Sequence, residues 1–239
     1  MPDGWARSPT EKANALAKKL SDTFKPNSNE PTPEEIDKFL KSPLPVEFPI
    51  KPTTPSEIKT LIMKFPANKA PGLDKISNKI LKELPPKART YLASFYNGLI
   101  RLNYFPDAWK LSVVHAIPKP GKNLNDPGSY RPISLLPVLS KLFEKILMKI
   151  LIFENPNVLP DHQFGFRQSH SAVEQAHRVI KLITESLEEQ KYCGSIFLDV
   201  EKAFDRVWHP GLLYKIKKLI PKFFLILKSY LEGRSFMSD

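Results

Sequence analysis

Asp199 closes an almost unbroken apolar run, Ser195-Ile196-Phe197-Leu198-Asp199-Val200, where an unpaired carboxylate costs several kcal/mol to bury. A structural hydrogen bond in the turn after a strand, protonation, or a divalent cation would each relieve that cost. A hard oxygen ligand at a strand end suits Mg2+. The residues that follow, Ala203-Phe204-Asp205-Arg206-Val207-Trp208, are equally open. Phe204 either walls a ligand pocket or fills core, and Asp205 is either a second ligand or a helix cap.

Two further segments carry cations suited to phosphate. Ile117-Pro118-Lys119-Pro120-Gly121-Lys122 sets two ammonium groups on a tight turn straight after a strand, and Tyr130-Arg131-Pro132 returns an arginine twelve residues after Lys119. Such a hairpin could pinch a triphosphate between a point charge and a bidentate fork. The plainer alternative is solvated lysine and arginine on a Pro/Gly loop. Gln163-Phe164-Gly165-Phe166-Arg167 interleaves aromatics with a cation, as base-stacking surfaces do, although aromatics beside a glycine also serve packing. His170 and His177 lie seven apart with no cysteine nearby, which speaks against zinc. The nine glycines are scattered and form no phosphate-cradling loop.

The elements that must position these residues can be read from periodicity. Ser8-Pro9-Thr10-Glu11, Thr32-Pro33-Glu34-Glu35 and Thr54-Pro55-Ser56-Glu57 are helix starts of the capping-box kind. The first two helices are joined by a Pro/Asn/Ser/Glu-rich connector, Lys25 to Pro33. After the turn-rich loop Asn68 to Asp74, apolar residues recur at helical spacing over Ile76–Leu84, and a long helix is expected from Lys87 to Leu102. The β-branched stretch Ser112–Ile117 reads as a strand. Pro118–Arg131 reads as a loop, and Leu135–Phe153, Ala172–Leu187 and Leu212–Leu219 as helices. Ser195–Val200 reads as a strand from the middle of a sheet.

Composition narrows the function classes. The 239 residues carry 36 Lys+Arg against 25 Asp+Glu, a net charge of +11, which favours a polyanionic partner, nucleic acid before anionic membrane. The charge is uneven: residues 1–50 hold 7 basic and 8 acidic side chains, and 51–239 hold 29 and 17. A single cysteine, Cys193, excludes an internal disulfide framework and a Cys-rich zinc module, and points to an intracellular setting, cytoplasm and nucleus. No signal peptide is expected at the start, and apolar runs such as Phe223–Leu227 fall well short of the roughly 20 residues of a membrane span.

Taken in order, these blocks resemble a known family. Trp109-Lys110-Leu111-Ser112, Ile117 to Lys122, Tyr130-Arg131-Pro132-Ile133-Ser134-Leu135-Leu136, Gln163 to Arg167 with His170-Ser171-Ala172, and Phe197 to His209 are similar to the early blocks of non-LTR retrotransposon reverse transcriptases, jockey-type elements most of all. Asn68-Lys69-Ala70-Pro71-Gly72-Leu73-Asp74 matches the block upstream of the fingers in that family, and Trp5-Ala6-Arg7 resembles the link from its endonuclease.

The resemblance implies an α+β fold, an incomplete right-hand polymerase comprising the fingers and the start of the palm, with a helical N-terminal extension. Residues 1–50 would be the extension and linker. Residues 51–239 would be a partial reverse-transcriptase domain, with fingers at about 67–190 and the first palm strand and helix at about 191–239. It implies Asp199 as the catalytic ligand of two Mg2+ ions, with the Val200 carbonyl as an extra ligand. Lys119 and Arg131 would hold the incoming dNTP, Phe204 would lie under the sugar and reject a 2′-hydroxyl, and Gln163 and Arg167 would lie near the template. The implied partners are an RNA template, a DNA primer and dNTPs, with no membrane. The sequence departs from the family at one place: it holds neither a Tyr-x-Asp-Asp turn nor the Gln-Gly block before it. One aspartate does not hold two Mg2+ ions strongly. The expectation is therefore a fragment that does not polymerise alone, unless a separate chain completes the palm. The alternative is a non-catalytic, basic nucleic-acid-binding protein derived from a retroelement.

Overall fold

Helix starts are set by capping. Ser8, Thr54 and Ser171 each accept a hydrogen bond from the backbone N–H three residues on, and Glu11, Glu57 and Glu174 in turn accept from the cap's own N–H. In the computed structural model, which describes residues 8–25, 32–167, 169–200 and 202–238, the helices are α1 Pro9–Thr23, α2 Glu34–Lys41, α3 Pro55–Met63, α4 Asn78–Lys82, α5 Pro86–Arg101, α6 Val138–Glu154, α7 Ala172–Glu188, α8 His209–Leu219 and α9 Phe224–Leu231. The strands are β1 Leu111–Pro118, β2 Tyr130–Leu135 and β3 Ser235–Ser238. The class is α+β. The expected cap at Thr32 does not form: the N-cap of α2 is Pro33, and no side chain caps it. Trp5-Ala6-Arg7 and most of the 25–33 connector lie outside the described residues.

The core forms where the apolar stripes of α3, α5 and α6 meet. Ile58, Ile62, Tyr96, Leu142, Phe143 and Ile146 are buried there. Tyr96 stacks on Phe143 with ring centres 5.2 Å apart and planes within 9°, while Phe105 and Trp109 pack on Phe143 at 5.6 and 5.9 Å. The Tyr96 hydroxyl donates to the Leu139 carbonyl at 2.9 Å, so its one polar atom is satisfied, and burial pushes its ionisation far up. Asn97 clamps the segment before α3 by pairing with both backbone groups of Thr53, at 2.8 and 2.9 Å.

The sheet has the order β2-β1-β3, with β1–β2 antiparallel and β1–β3 parallel. Two sequence expectations change here. The stretch ending at Arg131 is not all loop, because Tyr130–Leu135 pairs with β1. Pro132 hides that strand in the sequence, yet it is tolerated because β2 is an edge strand and an edge position needs no outward N–H. The second correction concerns Ser195–Val200, which is not a strand. Residues 191–200 carry no regular secondary structure, and Ile196, Phe197 and Leu198 are exposed. A strand exists only if an edge receives it, and residues 195–200 pair with no strand of the β2-β1-β3 sheet. The apolar stripe of α7 is likewise uncovered: Val173, Ile180, Ile183 and Leu187 face solvent.

The N-terminal helices rest on late elements. Phe24, at the end of α1, meets Phe236 of β3 edge-on at 5.6 Å. Phe39 of α2 packs on Tyr214 of α8 at 4.9 Å.

Gly72 sits where a side chain has no room. A Cβ built there would lie 2.5 Å from the Pro137 nitrogen and 2.6 Å from the Leu136 carbonyl carbon, backbone that cannot swing aside. Gly72→Ala is expected to cost about 1–3 kcal/mol in urea unfolding. Gly98→Ala in mid-α5, where nothing lies within 4 Å, is expected to stabilise by about 0.5–1 kcal/mol. Equal effects at the two sites would contradict this packing.

Glu57 ties α3 to α6 through Lys149 at 2.7 Å. The Lys149 hydrogen bond, helped by the Thr54 backbone, holds its carboxyl below the ordinary 4.5. The folded state therefore binds its proton less readily than the unfolded chain. The resulting stability is present above pH 4.5 and is lost as pH falls through the lower folded value. The stability gap between wild type and Glu57→Gln should therefore close on acidification; a gap that widens in acid would refute the assignment.

Candidate functional site

The β1–β2 hairpin builds the most ordered part of the site. Ile117 pairs with Arg131 and Pro118 with Tyr130, and the Lys119 N–H extends the ladder to the Ser129 carbonyl at 2.8 Å. By strand alternation Ile117, Lys119 and Arg131 leave the hairpin on one face. The tip is fastened at several points. Gly121 adopts φ +70, a conformation that favours glycine. Asp126 accepts the Gly128 N–H at 2.8 Å, and the Tyr130 hydroxyl donates to the Leu124 carbonyl at 2.9 Å. The Lys119 ammonium donates to the Gly128 carbonyl at 2.8 Å. Arg131 is exposed, and no group among the described residues engages its guanidinium. The hairpin therefore brings the two predicted cations together, one tethered and one open to an anion.

Further down the same face, His115, Ile117, Ile133 and Leu135 floor a cleft of about 830 Å3, closed by α6 and by the Phe65–Ala70 turn. Its rim carries Lys69, Lys141, Lys145 and Glu144. Burial pushes the Glu144 carboxyl up, against the pull of Arg234, the Ser140 hydroxyl and Lys141. Burial lowers Lys141, against Glu144 and Asp74. Lys141, Glu144, Lys145 and Met148 belong to no motif in the sequence. The available signal was their spacing on one face of a helix whose other face is core.

The remaining predicted residues lie in two groups. Phe204 meets Phe166 edge-on at 5.2 Å, so the residues after Asp199 touch the Gln163–Arg167 segment. Gln163 donates to the Gly165 carbonyl at 2.9 Å. Arg167 folds back onto the Pro160 carbonyl at 3.0 Å, with Asp161 at 3.8 Å. Phe164 lies under the Arg178 guanidinium at 4.8 Å and against His170. Asp199 and Val200 are exposed in the irregular segment, and no hydrogen bond or ion pair among the described residues joins Asp199 to Lys119 or Arg131. Among the described residues no three His, Cys, Asp or Glu side chains stand together as a metal cluster. No helix among them is long and apolar enough to cross a membrane.

Comparison with known proteins completes the description. A reverse transcriptase (RNA-dependent DNA polymerase) family model matches residues 117–238. The probable RNA-directed DNA polymerase from transposon BS of Drosophila melanogaster is 45% identical over 238 residues, covering 97% of this chain and 26% of that protein. The corresponding protein of the X-element of the same species is 44% identical, covering 97% and 26%. The RNA-directed DNA polymerase from mobile element jockey of D. melanogaster is 41% identical, covering 98% and 26%. The chain thus spans about a quarter of the length of these relatives. On the match through the hairpin, the aromatic segment and the Asp199 block, the chain belongs to the reverse transcriptase (RNA-dependent DNA polymerase) family, with jockey and related mobile elements among its relatives.

Proposed function

We propose that this chain is part of the catalytic domain of a retrotransposon RNA-directed DNA polymerase: the fingers (about 67–190) and the start of the palm (about 191–239) of a right-hand polymerase, behind a helical extension at 1–50. In the complete enzyme Asp199, with the Val200 carbonyl, would hold two Mg2+ ions, which activate the primer 3′-hydroxyl and stabilise the leaving pyrophosphate. Lys119 and Arg131 position the dNTP triphosphate and neutralise its charge. Phe204 underlies the sugar, and Gln163 and Arg167 face the RNA template of a template–primer duplex. The observation that carries this reading is the hairpin, which presents two cations on one face, one of them free to meet a phosphate.

Chemically, Asp199 is a hard anionic ligand with its carboxylate open to solvent, which fits Mg2+. No cluster of three candidate ligands stands among the described residues, and the sequence has no Tyr-x-Asp-Asp. The chain by itself is therefore proposed to be inactive. Mg2+-dependent primer extension tests this, with the chain beside a version extended through a Tyr-x-Asp-Asp block. Activity in the short chain defeats the incompleteness, and inactivity in both defeats the polymerase reading of this sequence.

One observation favours a second reading, a non-catalytic nucleic-acid-binding protein: no contact among the described residues draws Asp199 toward the cations. Binding of single-stranded RNA would then fall steeply with salt and be indifferent to Asp199→Ala. Loss of binding in that variant removes the second reading.

A further inference from the structure

Residues 43–54, which run from α2 to α3, form no helix, strand or turn, and among the described residues no hydrogen bond engages the backbone of 43–50. Their shape is set covalently. Pro43, Pro45, Pro49 and Pro52 each hold φ at about −65°, and each pushes the residue before it into an extended conformation. Only Val46, Glu47 and Ile50 escape both restraints. Ser42 enters the segment at φ −64 and ψ 155, close to polyproline II, a left-handed helix of about three residues per turn without internal hydrogen bonds.

Exposure decides between the two extended forms. A β-strand, with its two-residue period, would put Val46 and Phe48 on the same face as Leu44 and Ile50. Leu44 and Ile50 are half-buried and Ile50 packs against the core, yet Val46 is wholly exposed and Phe48 is 90% exposed. A three-residue period fits. It sets Leu44 and Ile50 on one ridge, with Glu47 between them. Pro43, Val46, Pro49 and Pro52 form a second ridge, and Pro45, Phe48 and Lys51 a third; both are open to solvent.

Hydrogen bonds fasten the segment at its two ends. Lys217, 4% exposed on α8, donates from its ammonium to the carbonyls of Phe39 (2.7 Å), Leu40 (3.0 Å) and Ser42 (2.6 Å). At the other end the Lys51 N–H donates to the Glu154 carboxylate at 3.0 Å, the Lys51 ammonium lies over the Phe153 ring at 5.0 Å, and Asn97 pairs with Thr53. A chain already extended and tied at both ends loses little conformational freedom when it is bound.

We propose that residues 43–52 are a docking segment for a separate protein whose aromatic-lined groove receives proline-rich chain in the polyproline II form, with Val46, Phe48 and Pro49 as the side chains that enter it. Aromatic rings of such a groove pack on the two exposed ridges, and their Tyr or Trp donors meet the unpaired carbonyls of 43–50. This role is independent of the polymerase reading.

Binding of the full chain to a panel of purified SH3 and WW domains, measured by fluorescence anisotropy, tests it. At least one domain is expected to bind saturably, and Phe48→Ser or Pro49→Ala should each weaken that binding about tenfold or more. Glu47→Gln, on the ridge of Leu44 and Ile50, should change it by less than about twofold. Because Phe48 is exposed, Phe48→Ser should leave the thermal unfolding midpoint unchanged, which separates lost docking from lost folding. No binding by any domain overturns the proposal, as does binding that survives both Phe48→Ser and Pro49→Ala. Sedimentation of the chain alone covers the remaining occupant: self-association abolished by Phe48→Ser would seat the ridges on a second copy and also overturn the proposal.

Discussion

On the proposed reading, Asp199→Asn is expected to lower Mg2+-dependent primer extension by about a thousandfold or more in an enzyme carrying the whole carboxylate set, because a neutral amide would replace the anion proposed to hold the metal ions. The same change should leave thermal stability almost untouched. Asp199 is exposed, sits in an irregular segment, and makes no ion pair among the described residues. Substitutions at such sites usually stay within about 0.5 kcal/mol, which for a chain of this length is about 1–2 °C. The two readouts separate a ligand from a structural cap. A capping aspartate would lower the melting temperature and leave activity in proportion to the folded fraction. Wild-type turnover in Asp199→Asn would remove this residue from the chemistry.

Phe143→Ala should have the largest effect on stability. The ring is fully buried at the junction of α5, α6 and the turn before β1, stacked on Tyr96 and flanked by Phe105 and Trp109. Truncating such a ring costs about 3–5 kcal/mol through lost transfer energy and the cavity left behind. The three aromatic contacts are lost with it, each worth about 0.5–1.5 kcal/mol beyond area. Against a total stability of about 5–15 kcal/mol, this is a large share of the whole. Chemical denaturation should show a large drop in midpoint. A loss below about 1 kcal/mol would mean that the cluster is not the centre of the core, whereas Phe143→Leu, which keeps most of the volume, should be far milder.

The helices were legible because their signals are local. A capping serine or threonine with a glutamate three residues on, and apolar residues at 3.6-residue spacing, are satisfied within one segment, so Ser8 and Thr54 start helices as read, whereas Thr32, with the same signal, does not cap α2. The cationic hairpin was half legible. Lys119 and Arg131 were recognisable as residue types, but their shared face depends on the register of β2, a strand masked by Pro132. Family membership was also readable, since it rests on the order of short blocks rather than on any contact.

The sequence by itself determined where most helices lie, the basic character and the family. Only the tertiary structure decided whether the apolar run before Asp199 becomes a strand, and where a buried lysine 178 residues from Phe39 finds its partners. The reason is the range of the interactions. Helical hydrogen bonds close within four residues, whereas a strand needs a free edge and a buried ammonium needs carbonyls, and both partners are supplied by distant chain. Residues 195–200 pair with no strand of the sheet, so Ile196, Phe197 and Leu198 remain exposed.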